Sequence, residues 1–268
     1  MLRPPAAADR FYPADPAALR SQLDSLIPPW KEEKRQTALA VISPHAGYVY
    51  SGSVAGETMA RVRIPETVLI LGPNHHGVGQ PVALGTRDWD MPFGRVPIAR
   101  ELAVKILKNS TIIIDDDTAH QFEHSLEVQV PFLQYLRDNL KIVPIVISHL
   151  SFAECRETAR DLVTGIRELG EEVLIVASTD MTHYEPRRIA SKKDRLALER
   201  ITALDPAGLY DTVIDNRISM CGIIPTTVAL LAALKMGAMR AELVRYTDSG
   251  EAAGDTGQVV GYAGLIVA

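Results

Sequence analysis

Cysteine is scarce: two thiols in 268 residues, Cys155 and Cys221, could close one bridge at most. A disulfide-stapled scaffold is thereby excluded, and each thiol is expected to be a packed side chain, a metal ligand or a redox group. No run of about 20 apolar residues occurs, so no membrane-spanning helix is expected. The cluster of lysine and arginine that stands out, Lys31 to Arg35, is interrupted by two glutamates, and 28 basic against 33 acidic residues leave a net charge of −5. Phosphate neutralisation needs clustered cations, so nucleic acid is not an expected partner. The opening MLRPPAAADRFYP lacks the apolar core of a secretory leader, which with the two thiols leads to the expectation of a reducing, cytoplasmic setting. No internal repeat is visible, and the Ala/Pro-rich Pro4 to Ala8 is the longest low-complexity stretch, so a solenoid is excluded. What is present, 47% hydrophobic and 23% charged residues, is a globular balance, and the length suits one domain over residues 1–268.

Apolar runs of strand length, several rich in Val and Ile, occur at Ala38 to Ile42, Thr67 to Leu71, Ile142 to Ile147, Val173 to Ala177, Ala241 to Tyr246 and Gly261 to Val267. Helical spacing is clearest at Phe152, Cys155, Ala159, Leu162, Ile166 and Leu169, which share one face. Further helices are expected at Pro16 to Leu26, Ser53 to Val62, Ile98 to Lys108, Ser125 to Leu140, Lys192 to Ala203, Pro206 to Ile214 and Pro225 to Met236. Pro131 predicts a kink in the Ser125 helix or a helix start just before it. Strands alternating with helices predict a three-layer α/β/α fold with a largely parallel or mixed central sheet. The segment Gly77 to Pro97, rich in Gly, Pro and aromatic residues, predicts a loop or hairpin excursion near the site.

The seven histidines fall in informative places. The strand-plus-loop sequences AVISPHAGY, VLILGPNHHG and LIVASTDMTHY deliver His45, then His75 and His76, then Asp180 and His183, each just past a predicted strand's C-terminal end. In open α/β sheets ligands bind in the crevice outside those ends, so these side chains are expected to converge. Cys221 precedes a helix predicted near Pro225, where a thiolate is stabilised. Two imidazoles and a thiolate with open positions make a reactive rather than a closed structural site, so His45, His75 and Cys221 are candidate metal ligands. Asp180 could fix an imidazole tautomer and His183 could act as acid or base, the candidate catalytic pair, or the two could merely cap a loop. Cys221 could equally be a small buried hydrophobe, the reading preferred for Cys155 on its apolar helix face. His124 and Glu127 in EHSLE would share a helix face, as pocket residues or as a helix-start cap. Tyr48 and Tyr50 would line the pocket or pack at the loop base, and His149 lacks the Gly, Pro and polar neighbours of the other loops.

The motifs PHAGYVYSG, ILGPNHHG, EHSLEVQVPFL, STDMTHY and MCGIIP, in this order, resemble the Memo family. RFYPADPAAL near the start and RYTDSGEAAGD with VVGYAGLIV near the end extend the resemblance over nearly the whole chain. It implies a fold like that of the class III extradiol ring-cleaving dioxygenases, with metal ligands on His45, His75 and Cys221, and Asp180 and His183 beside them; His76, His124, Glu127 and Tyr48 are carried as pocket or supporting residues. It also implies iron or copper, redox activity, and association with AMMECR-type and radical-SAM proteins. One departure from the dioxygenases is that Cys221 stands where they place a carboxylate, which argues against ring cleavage. Ile223 and Ile224 would make the rim apolar, against phosphopeptide recognition.

Three functions follow as expectations. The first is a dioxygenase-like redox enzyme using iron or copper on oxygen or a small organic substrate. The second is a metal carrier or scaffold without turnover, working with those partners. The third is a zinc hydrolase in which Asp180 or His183 serves as base.

Overall fold

Among residues 2–268, which the computed structural model describes, nine strands form one mixed sheet: β1 (Ala40–Ser43), β2 (Thr67–Pro73), β3 (Val82–Leu84), β4 (Ile114–Asp115), β5 (Lys141–Ile147), β6 (Val173–Ser178), β7 (His183–Glu185), β8 (Ala241–Asp248) and β9 (Val259–Val267). The centre is parallel, in the order β5-β2-β6-β1. These strands are buried along almost their whole length, as Val/Ile-rich runs covered on both faces must be. The flanks are antiparallel: β3 pairs with β5 and carries β4, while β9 pairs with β1 and then β7 along one edge and with β8 along the other.

The helices are α1 (Pro16–Leu26), α2 (Tyr48–Ala60), α3 (Arg100–Lys108), α4 (Val130–Leu136), α5 (Phe152–Leu169), α6 (Arg187–Thr202), α7 (Pro206–Asp215), α8 (Ile223–Met236) and the single turn α9 (Gly250–Ala253). α1, α2 and α4 pack together in one layer, and α3, α5, α8, α7 and α6 follow one another in contact in the other. α5 shows how local chemistry sets an element. A reciprocal Ser151–Glu154 capping box starts it, its stripe of Cys155, Ala159, Leu162 and Ile166 is buried, and Gly170 at φ 73° ends it. α8 is apolar nearly all round because it lies between the sheet and its neighbours α5 and α7. Among the described residues, no helix is long and apolar enough to cross a membrane.

Several expectations are corrected. α2 begins at Tyr48 instead of Ser53, because its small residues let it press against α1; a Cβ on Gly56 would lie 2.2 Å from the Leu26 carbonyl oxygen. The expected helix Ser125 to Leu140 is a 3₁₀ turn, Glu127–Gln129, followed by α4, whose first turn holds Pro131, where a missing N–H costs nothing. Gly77 to Pro97 does hold a small hairpin, in which Trp89 and Val96 exchange antiparallel backbone hydrogen bonds of 2.9 Å, but it also contributes β3 to the sheet and buries Trp89 beneath Arg3. The basic residues are more numerous in α6, with six Lys and Arg in 16 residues, than in the shorter stretch Lys31 to Arg35. Three of the six, Arg187, Lys193 and Arg200, pair with Asp248, Glu185 and Asp205.

The strand order positions the site. β1 and β2 are consecutive in the chain, yet β6 lies between them, so the loops after β1, β6 and β2 leave neighbouring strand ends in the same direction. This is the switch-point crevice of an open α/β sheet.

Candidate metal centre

His45 follows β1, His75 follows β2 and Asp180 follows β6, while Cys221 stands one residue before Gly222, the N-cap of α8. The rings of His45 and His75 meet edge to face with centroids 5.2 Å apart. Cys221 Sγ lies 3.2 Å from His45 Nε2, and the ligand atoms of His45, His75 and Cys221 all fall within 4.8 Å of one another. Tetrahedral bonds of about 2.0 Å to nitrogen and 2.3 Å to sulfur would set N and S about 3.5 Å apart, so the donor set fits a metal ion with small closing movements.

What brings the thiol there is Gly222. Its N–H donates to Thr179 Oγ1 (2.9 Å), and a Cβ built on it would lie 2.4 Å from the Ser178 carbonyl oxygen. Only glycine lets the α8 entry lie directly on the end of β6. The Asp180 N–H also points at Cys221 Sγ (3.3 Å), a donor suited to a thiolate.

Each ligand histidine is held by its other ring nitrogen. His75 Nδ1 donates to Glu123 Oε1 (2.8 Å), and the His75 backbone N–H donates to Glu123 Oε2 (2.7 Å), which leaves Nε2 for a metal. Burial alone would push the Glu123 carboxyl up, but the His75 imidazole and the N–H groups of Ser125 and His75 hold it far below the usual carboxylate range. His45 Nδ1 lies 3.0 Å from Ser178 Oγ, and its backbone N–H donates to Asp180 Oδ1 (2.8 Å). Burial, then the neighbouring His75 and His124 rings, pushes His45 well below its ordinary value, which keeps the ring neutral and ready to ligate. Burial pushes the Cys221 thiol up, so ligation must displace its proton. Burial likewise raises Asp180 to about 6, against the opposing His45 N–H.

The other named residues divide clearly. His124 stacks on His75 with centroids 4.6 Å apart and is lowered to about 4 by burial. His183 lies in β7, with Nδ1 donating to the Ser219 carbonyl (2.8 Å), so Nε2 is the ring nitrogen that carries the lone pair. His76 turns away, its exposed ring donating to the Phe122 carbonyl (2.9 Å). Tyr48 is buried against Phe132 and donates to the Val128 carbonyl (2.7 Å), so it supports α4 instead of lining the centre. Glu127 shares no helix face with His124. Its buried carboxylate accepts from Arg3 Nη1 (2.6 Å), Tyr12 (2.5 Å) and the N–H groups of Ala6 and Ala7, clamping the amino-terminal segment. Ile224 lies in the core instead of on a rim, Cys155 is buried in α5, and His149 is exposed. Sequence reasoning missed Glu123 and Ser178. Glu123 stands directly before His124, and its signal would have been a carboxylate placed to orient a ligand.

The chain matches the model of the Memo-like protein family over residues 3–266. It belongs to the Memo family. It is 43% identical to a MEMO1 family protein of Methanopyrus kandleri, over 99% of both chains. It is 42% identical to one from Archaeoglobus fulgidus, again over 99% of both. A Memo relative from Aquifex aeolicus is 41% identical over 99% of this chain and 98% of its own. Among solved structures, an uncharacterized protein from Escherichia coli K12 superposes with a TM-score of 0.58 at 16% identity, covering 85% of this chain and 98% of that one, a likeness of fold alone.

Proposed function

We propose that this Memo-family chain holds iron or copper through His45, His75 and Cys221 and uses it in a redox reaction of oxygen or a small organic molecule. The observation that carries the reading is the meeting of two imidazoles and one sulfur, all within 4.8 Å, from three separate chain segments. A bound ion of this kind supplies one-electron chemistry and an electrophilic position for an oxygen-containing ligand. The protein supplies the rest. Glu123 orients His75, the Asp180 N–H supports the thiolate, and His183, its Nδ1 held by Ser219, is placed to move a proton at Nε2. A thiolate in place of a carboxylate donates more electron density, which supports redox work over ring cleavage.

Metal analysis of anaerobically purified wild type, His45→Ala and Cys221→Ala tests the ligand set. Retained metal in wild type with loss in both variants is expected, and equal metal in all three rejects it. Oxygen consumption by the iron- or copper-loaded protein then tests the reaction, with a fall of about 10²-fold or more expected for His183→Ala if it is the proton-transfer group. Metal binding without any turnover would favour a carrier, working with AMMECR-type or radical-SAM partners. Activity with zinc alone would favour a hydrolase.

A further inference from the structure

We propose that Ser178 and Gln129 are positioning residues that set the tautomer of His45, placing the proton on Nδ1 and the free lone pair on the Nε2 that faces Cys221. For its functional meaning this rests on the metal-centre reading, but the tautomer itself is a property of the metal-free chain.

The assignment starts from a carbonyl. The Gln129 side-chain nitrogen lies 2.8 Å from the Pro44 carbonyl oxygen and 2.8 Å from Ser178 Oγ. A carbonyl only accepts, so the amide must turn its NH₂ to Pro44, and its second N–H then donates to Ser178. Ser178 Oγ is also 2.6 Å from the Ser125 carbonyl, another pure acceptor, which takes the one hydroxyl proton. The hydroxyl is left with a single lone pair, and that lone pair faces His45 Nδ1 at 3.0 Å. Only an N–H satisfies it. In the opposite tautomer the bare Nδ1 would confront an oxygen lone pair, or Ser178 would have to abandon Ser125 in a region without solvent.

A second observation points the same way. Gln129 is fully buried, and its Oε1 has no hydrogen-bond partner. A buried amide oxygen without a partner destabilises a fold. An apolar side chain would avoid that cost, so what the glutamine contributes is its NH₂. Both residues lie where the sheet can hold them still. Ser178 ends β6, in register with Ser43 at the end of β1, and Gln129 immediately precedes α4. The two ligand imidazoles are thus backed differently, His75 by a carboxylate and His45 by a neutral hydroxyl.

The test is a two-bond ¹H–¹⁵N spectrum of metal-free protein labelled at histidine, with His45→Ala to assign the signal, and zinc affinity by chelator competition on the same samples. Wild type should show the proton of His45 on Nδ1. Ser178→Ala should populate the Nε2–H form and weaken zinc binding by about 10- to 100-fold. Gln129→Met should shift the tautomer in the same direction to a smaller extent. Circular dichroism should show both variants folded. A residue with a merely structural role would lower the unfolding midpoint and leave the tautomer alone. A wild-type His45 protonated on Nε2, or a Ser178→Ala protein that keeps both the Nδ1–H form and its zinc affinity, overturns the proposal. If Ser178→Ala does not fold, the wild-type spectrum and Gln129→Met decide it. Failure of wild type to bind zinc would count against the metal-centre reading, while the spectrum would still decide the tautomer.

Discussion

Replacing Gly222 by alanine is expected to disable the metal centre without touching a ligand. The Gly222 backbone sits at φ −96°, outside the left-handed region that alanine avoids, so the effect comes chiefly from space. The new methyl would lie 2.4 Å from both the Ser178 carbonyl oxygen and Thr179 Cβ, and 2.6 Å from Thr179 Oγ1. An ordinary C···O approach is about 3.3 Å, so something must give by about 1 Å. Ser178 is held in β6 by its pairing with Ser43, so the Cys221–Gly222 segment is the part that moves. Metal bonds tolerate about 0.2 Å, so a displacement of that size takes the sulfur out of ligation range. Overpacking of this kind costs about 1–3 kcal/mol. Urea unfolding of metal-free protein should show that loss, and chelator competition should show zinc binding weakened by about tenfold or more, by analogy with disturbed supporting contacts. A Gly222→Ala protein as stable as wild type and with equal zinc affinity would refute the claim that this close approach places the thiol.

Other outcomes follow from features away from the ligands. Glu127→Leu leaves buried Arg3 without its carboxylate and should lower unfolding free energy by about 3–5 kcal/mol, measured by urea titration. Burial pushes the Asp88 carboxyl up, but the Ile98 N–H and the Arg95 guanidinium more than offset this and hold it below the usual range. Its contribution is therefore present above the unfolded value of about 3.9 and lost as the pH falls through the lower folded value. The stability gap between wild type and Asp88→Asn, followed by unfolding at stepped pH, should shrink below about pH 4 and stay constant above about pH 5.5. A gap that widens on acidification contradicts the assignment. Ser151→Ala removes one half of the α5 capping box and should cost about 1 kcal/mol by the same urea assay.

The parts of the fold legible in the sequence were those whose signal is periodic and long. The stripe from Phe152 to Leu169 marks α5 to the residue, since its caps, Ser151 and Gly170, are also written in the chain. The Val/Ile runs mark the central strands because strands covered on both faces need no alternation. The strands β3, β4 and β7 have two or three residues each and owe their existence to a neighbour's free edge, which leaves no local pattern. The start of α2 was obscured by its glycines, which weaken helix propensity but are required by packing against α1. At the site, position relative to strand ends brought out His45, His75 and Asp180. It could not separate His75 from its neighbour His76, whose ring turns outward to Phe122. Helical spacing misplaces Glu127, which lies in a 3₁₀ turn, and Tyr48 reads as a loop residue although α2 already begins there. Ser178 looks like an ordinary strand terminus, because its three partners come from distant parts of the chain.

The X-ray absorption spectrum of iron- or copper-loaded protein reads directly which atoms surround the ion. One sulfur at about 2.3 Å with imidazole nitrogens at about 2.0–2.1 Å is expected, and loss of the sulfur shell in Cys221→Ala. A first shell of nitrogen and oxygen alone in wild type, or a spectrum unchanged by Cys221→Ala, would contradict it.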